Sequence, residues 1–294
     1  MVVGIARHGA VEIAYEVEGP EDGVPLLLIM GLSLSMSFWP EGFRRRLVEH
    51  GFRVARFDNR DAGRSTHLTE LGLPSPLVWV TGRWHGYSLT DMAGDAVAVL
   101  DDLGWPSAHV VGVSLGGMIA QTLACRFPDR VRTLTSISST PASHIGRPHP
   151  RAMVALAPLP VRDSAAAARR MVRIFRVVGS PGYPRDEEWI AEAARRDFDE
   201  AHDPNGVRRQ LAAILSAGDR RPLLRELKMP VLVVHGTEDL LVRPAGGTET
   251  AQAVPGAKLV VFTGMGHDLP DALQPAIAGD IAALARLGSE PLRG

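Results

Sequence analysis

The sequence predicts an α/β protein: a mostly parallel β-sheet flanked by helices, with one helical insertion. Three observations predict it. Short apolar runs bounded by turn residues recur along the 294 residues, and helical patterns separate them. The alternation breaks once, between about 141 and 222, where helical stretches succeed one another with no strand between. Strands alternating with helices imply right-handed βαβ units and therefore parallel pairing.

The first run, "VEIAYEV" (11–17), alternates apolar and polar residues, as a half-exposed antiparallel strand does. The later runs are nearly continuous, as strands covered on both faces are: "VPLLLIM" (24–30), "FRVARFD" (52–58), "AHVVGV" (108–113), "VRTLTSI" (131–137), "PVLVVH" (230–235) and "KLVVFT" (258–263). Helical patterns fall at 40–50, 89–103, 116–127, 246–253 and 271–286, and no fixed-period repeat is present. This spacing assigns 1–140 and 223–294 to one core domain and 141–222 to a helical cap inserted in it. Pro148, Pro150, Pro158 and Pro160 punctuate an irregular approach to the cap. Three helices follow. "DSAAAARRMVRIFRVV" opens on an N-cap candidate, Asp163 or Ser164, and sets Met171, Ile174, Phe175 and Val178 on one stripe. Core packing is the first reading of that stripe, a substrate wall the second. "RDEEWIAEAARRDF" and "PNGVRRQLAAILSA" are the other two. The connection 66–88 is long and holds Trp79, Trp84 and Tyr87. It reads equally as a functional loop and as a loop that its aromatics anchor to the core.

Composition excludes several classes. A net charge of -1 argues against nucleic acid as a main partner, because phosphate binding needs a basic face. The apolar runs fall far short of the ~20 residues a membrane span needs, and "MVVGIARHGA" lacks the apolar core of a signal peptide. The expectation is a soluble, cytoplasmic protein with no membrane partner. The one cysteine, Cys125, permits neither an intramolecular disulfide nor a cysteine metal cage, and reads as a packed, inert thiol. The oligomeric state is open, a homo-oligomer included.

The chemistry sits in "HVVGVSLGGMIAQ" (109–121). A strand pattern runs into Gly112-Val113-Ser114-Leu115-Gly116, and a helix pattern follows. A serine hydroxyl needs a base to take its proton and donors to hold the oxyanion that forms. A sharp strand–turn–helix elbow lifts the serine clear of the sheet edge and aims the next N–H at the same spot. The rival reading, a nucleotide-binding turn, lacks both Gly-x-Gly-x-x-Gly and Gly-x4-Gly-Lys-[Ser/Thr]. Asp239, just past one buried strand, and His267, just past the next, supply the acid and the base, 28 residues apart. His235 and Glu238 are the rivals; residues 131–162 hold no acid at all. A second oxyanion donor is expected from "LLLIMGLSLSMSFW", where Gly31 lets the backbone approach and the N–H of Leu32 would join that of Leu115. Met30, Gly31, Phe175, Leu240 and Leu241, beside these turns and on the cap stripe, are candidate substrate contacts. No metal and no organic cofactor is needed.

The elbow, Asp239, His267 and "RFDNRDAGRST" (56–66) together resemble the α/β-hydrolase superfamily over nearly the whole chain. More narrowly, "LLLIMGLSLSMSFWPEGF", "DNRDAGRST" and "GMGHDLP" resemble the capped esterases related to aclacinomycin methylesterase, including Met30-Gly31 where many members of the superfamily have His-Gly. The resemblance implies an eight-stranded sheet, a cap between the sixth and seventh strands, and a structural turn at Asp58, Arg60, Gly63 and Ser65 that braces the oxyanion loop. It also implies a Ser–Asp–His esterase acting on a small-molecule ester: a methyl ester, a lactone or another apolar ester. Perhydrolases (haloperoxidases) and C–C bond hydrolases use the same triad and remain the alternative. Ser114 argues against epoxide and haloalkane hydrolases, which need a carboxylate at the elbow. The cap's 14 Arg against 10 acids hint at tolerance for anionic groups.

Overall fold

The computed structural model describes residues 2–157, 161–201 and 203–288, without the side chain of Trp79. Eight strands form one sheet: β1 (Val2–His8), β2 (Val11–Glu18), β3 (Val24–Ile29), β4 (Phe52–Phe57), β5 (Ala108–Val113), β6 (Val131–Ile137), β7 (Val231–Gly236) and β8 (Lys258–Phe262). The spatial order is β1-β2-β4-β3-β5-β6-β7-β8. β2 pairs antiparallel with β1 and with β4, and every pairing from β4 onward is parallel. The parallel sheet is the one expected. β1, absent from the strands read off the sequence, completes the eight that the resemblance implies. It is an edge strand with Val2, Val3 and Ile5 exposed, so burial leaves little imprint on its sequence.

Helices cover both faces of the core: α1 (Glu41–Glu49), α3 (Leu89–Asp102) and α4 (Leu115–Arg126) before β6, then α10 (Ala245–Ala253) and α11 (Gln274–Gly288) after β7; the short α2 (Val78–Thr81), in the 66–88 connection, borders a large cavity instead. Leu27, Ile29, Val110 and Val233 pack on the side of α3 and α4, while Leu26, Leu28, Val111 and Val234 pack on the side of α1 and α11. Both faces of each central strand are therefore apolar, which is why their sequence runs do not alternate.

Between β6 and β7 lie α5 (Pro150–Ala155), α6 (Ser164–Val178), α7 (Glu187–Glu200), α8 (Gly206–Ser216) and α9 (Arg221–Leu224). α6 starts on Asp163, whose carboxylate accepts from the N–H of Ala166. α5 departs from the irregular approach expected there. Pro150 opens it at the first helical position, where the missing N–H would have had no intrahelical acceptor anyway. Pro158 and Pro160 lie outside the described residues. The two ends of the insertion are clasped: the N–H of Arg220 donates to the carbonyl of Pro141 (3.0 Å), and its guanidinium to that of Thr140 (2.7 Å).

A buried ion pair ties the insertion to the core. Arg209, on α8, donates Nε–H (2.8 Å) and Nη2–H (2.6 Å) to the two oxygens of Asp61, and reaches Asp203 as well. The side chains of Arg209 and Asp61 are 1% and 0% exposed. Tyr87 adds its hydroxyl to Asp61 at 2.7 Å. Tyr87 and the half-buried Trp84 thus anchor the long 66–88 connection on the core. Removing the cation strands a buried carboxylate, so Arg209→Met is expected to lower stability by about 3–5 kcal/mol. Chemical denaturation measures it, and a loss near zero would contradict the pairing.

Candidate active site

The elbow needs its glycines for space. A Cβ on Gly112 would meet the carbonyl oxygen of Gly116 at 2.1 Å, and one on Gly116 would meet that of Ile29 at 2.0 Å. The turn between them holds Ser114 at φ 56°, ψ -119°, a left-handed conformation costly for a residue with a side chain. The surroundings hold it there. The Ser114 N–H donates to the carbonyl of Ile137 (2.9 Å), and its own carbonyl accepts from Ser139 Oγ (2.7 Å). The side chain borders a large cavity between the sheet edge and the insertion.

Asp239 and His267 come together as expected. Asp239 follows β7 and is fully buried. One of its oxygens accepts the N–H groups of Leu241 (2.9 Å) and Val242 (2.8 Å); the other lies 2.8 Å from His267 Nδ1. A carboxylate only accepts, so Nδ1 carries the proton in this contact and Nε2 is left free to act as a base. Burial opposes charge on the imidazole. The Asp239 carboxylate more than offsets it, with Asp268 adding, so His267 titrates above the ordinary histidine value. His267 borders the same cavity as Ser114.

Neither rival borders the cavity, although His235 Nε2 lies 3.6 Å from Asp239 Oδ2. His235 is buried, with Nε2 2.8 Å from the carbonyl of Val242, and burial holds its pKa down. Glu238 is exposed. Burial pushes the Cys125 thiol up to about 11, which keeps it protonated and unreactive at neutral pH.

Gly31 lies against Ser114: a Cβ there would sit 3.3 Å from Ser114 Cβ. Among the described residues, neither the N–H of Leu32 nor that of Leu115 has an acceptor within the protein. The loop that carries Leu32 is held from below by the turn after β4. Asn59 donates to the carbonyl of Met30 (2.9 Å), and Asp58 accepts from the N–H groups of Met36 (2.6 Å) and Arg64 (2.9 Å). Ser65 donates to the Asp58 carbonyl at 2.6 Å, and Arg60 pairs with Asp95 through two contacts of 2.6 Å. Asp58 is buried enough that its carboxyl is pushed up to about 6.

Of the candidate substrate contacts, Met30, Gly31, Phe175 and Leu241 border the cavity. Leu240 does not: its carbonyl accepts the N–H of His149 (2.8 Å), and its side chain packs with Ala152, Ile174 and Val178. The α6 stripe meets both surroundings: Met171, Ile174, Phe175 and Val178 all border the cavity, while Ile174 and Val178 also belong to a small core. Part of the 66–88 connection, including Leu73 and Val80, forms another wall. The arginine excess of the insertion does not focus on the site. Arg147, Arg170, Arg185 and Arg208 border the cavity, but so do Asp186, Asp197, Asp203, Asp268 and Asp271. Asp61, His67 and Asp203 bring ligand-type atoms within 4.8 Å of one another, but the Arg209 guanidinium already bonds to both carboxylates and supplies the positive charge there.

No helix among the described residues is long and apolar enough to cross a membrane. Ser114 on its strained elbow and His267, hydrogen-bonded to the buried Asp239, thus border one cavity. The chain belongs to the α/β-hydrolase fold family, whose pattern matches residues 24–271. It is 32% identical to rhodomycin D methylesterase DnrP of Streptomyces peucetius, over 91% of this chain and 93% of that one. It is 27% identical to the bifunctional esterase/perhydrolase DCH of Acinetobacter calcoaceticus, over 96% and 99%. Among solved structures, the enol-lactonase of Burkholderia xenovorans LB400 superposes with a TM-score of 0.71 at 25% identity, covering 98% of this chain and all of that one. The likeness to the methylesterase subgroup noted from the sequence is thus met over nearly the full length.

Proposed function

We propose that this enzyme, a carboxylic ester hydrolase, cleaves esters of bulky, largely apolar small molecules, methyl esters foremost, in two steps. His267 takes the Ser114 proton through Nε2 as Oγ attacks the ester carbonyl. The N–H groups of Leu32 and Leu115 receive the oxyanion, each donor contributing about 3 kcal/mol. The imidazolium, steadied by Asp239, returns the proton to the departing alkoxide. Water then attacks the acyl-enzyme, with His267 again as base, and releases the acid. The residues of 141–222 serve as the cap, walling the cavity over Ser114.

The observation that carries this reading is the shared cavity, with Ser114 and His267 on its wall and Asp239 hydrogen-bonded behind the imidazole. Its volume is about 2110 Å³, and Met118, Phe175, Trp189 and Leu211 line it. The cavity runs out past the exposed Leu73, Val80 and Met153, so this volume includes its open mouth; it leaves room for a bulky ester, and the methylesterase relative favours a methyl ester. The second reading is a perhydrolase, favoured by the esterase/perhydrolase relative; peroxide then replaces water in the second step.

A panel of p-nitrophenyl esters, methyl esters and lactones, with and without peroxide, tests the reading, followed over pH on the best substrate. Only neutral His267 accepts a proton, and its pKa is raised. kcat/KM is therefore expected to rise with pH through a midpoint above ~6.5, the ordinary histidine value. A flat profile between about pH 5 and pH 9 would remove His267 as the base.

A further inference from the structure

The insertion does more than cover the cavity. Both loops that bring reacting groups to Ser114 are hydrogen-bonded to it. On one side, the N–H of Ser33 donates to Gln210 Oε1 on α8 (2.8 Å), and the N–H of Ser35 to Asp197 Oδ1 on α7 (3.1 Å). Ser33, next to Leu32, is itself held at φ 63°. Gln210 is fully buried, and its Nε2 donates to the carbonyl of Arg60 (2.7 Å), which settles the end that carries the oxygen. On the other side, the N–H of His267 donates to the carbonyl of Val178, the last residue of α6 (2.7 Å). The N–H of Gly266 donates to Ser180 Oγ (2.8 Å), and Ser180 donates its hydroxyl and its N–H to the carboxylate of Asp268. Ser180 is 2% exposed. Without the insertion, the N–H groups of Ser33, Ser35, Gly266 and His267 would all lose their acceptors.

We propose that the insertion is a structural part of the catalytic apparatus, with Gln210 positioning the loop that carries the Leu32 N–H and Ser180 positioning the loop that carries His267. The proposal rests on the esterase reading above. Its consequence separates it from a plain cover. A wall that only holds substrate lowers the energy of bound substrate and transition state alike, so damage to it raises KM. A clamp on the loops that hold the reacting groups acts in the transition state, so damage to it lowers kcat.

The test takes the full-length protein with the best ester of the panel and compares Gln210→Met, which keeps the volume, and Ser180→Ala with wild type and with Ser114→Ala. Each positioning variant is expected to lower kcat by ~10- to ~100-fold, the cost of a misplacement of about 1 Å, with KM changed by less than about threefold. Ser180→Thr, which restores the hydroxyl, is expected to recover kcat relative to Ser180→Ala. Gln210→Glu keeps the acceptor for Ser33 and is expected to retain more kcat than Gln210→Met. Unchanged kcat, a rise in KM alone, or the same kcat with and without the restored group overturns the proposal. The two arms are independent, so a folding failure at 210 leaves the arm at 180 decisive. Hydrolysis that survives Ser114→Ala would instead overturn the esterase reading itself.

Discussion

Ser114→Ala is expected to lower kcat by about 10⁶, equivalent to about 8 kcal/mol of transition-state stabilisation. The reason is that in the proposed mechanism Ser114, His267 and Asp239 act as a unit. His267 and Asp239 matter only while there is a hydroxyl to deprotonate, so loss of Oγ forfeits their contribution as well as its own. The alanine keeps Cβ, the atom nearest Gly31, so the fold and the N–H groups of Leu32 and Leu115 are expected to stay in place. A residue of catalysis therefore persists, from the N–H groups of Leu32 and Leu115 acting on a water attack. A fluorophosphonate probe provides the second readout: stoichiometric labelling of wild type and none of the variant. A variant that retains a tenth of wild-type turnover would remove Ser114 as nucleophile.

Asp239→Asn is expected to cost about 10⁴ in kcat, and the contacts of Asp239 show how. Its Oδ1 accepts two backbone N–H groups, from Leu241 and Val242. In the asparagine the amide oxygen must take that side, because the NH2 group cannot accept. The NH2 group then faces His267 Nδ1, which has to become the acceptor. The ring proton moves to Nε2, where it blocks the nitrogen that should take the serine proton. Side-chain volume and the backbone bonds are preserved, so kcat falls while the unfolding midpoint stays near that of wild type. Turnover within a few-fold of wild type would transfer the orienting role to another acid.

Much of this was legible in the sequence because a parallel sheet delivers every strand's carboxyl end to one edge. Ser114, Asp239 and His267 each follow an apolar run closely, so the strand pattern alone sets them on that edge. The contacts of the insertion left no such trace. Gln210 meets Ser33 across 177 residues and Arg209 meets Asp61 across 148, and neither spacing carries a period. Leu240 and Leu241 are neighbours in the chain, yet only the second reaches the cavity, because the Leu240 backbone is bonded toward α5. Pro150 read as a break and instead opens a helix, since a proline in the first turn gives up no hydrogen bond.

The sequence by itself determined the sheet, the elbow and the placing of Ser114, Asp239 and His267 at one sheet edge, for these follow from local apolar pattern and from the steric demand of one turn. Only the tertiary structure decided which groups of the insertion hold the loop after β3 and the loop that carries His267. Hydrogen bonds between segments far apart in the chain depend on how helices pack over the sheet, and packing of that kind is a property of the whole chain that no window of residues records.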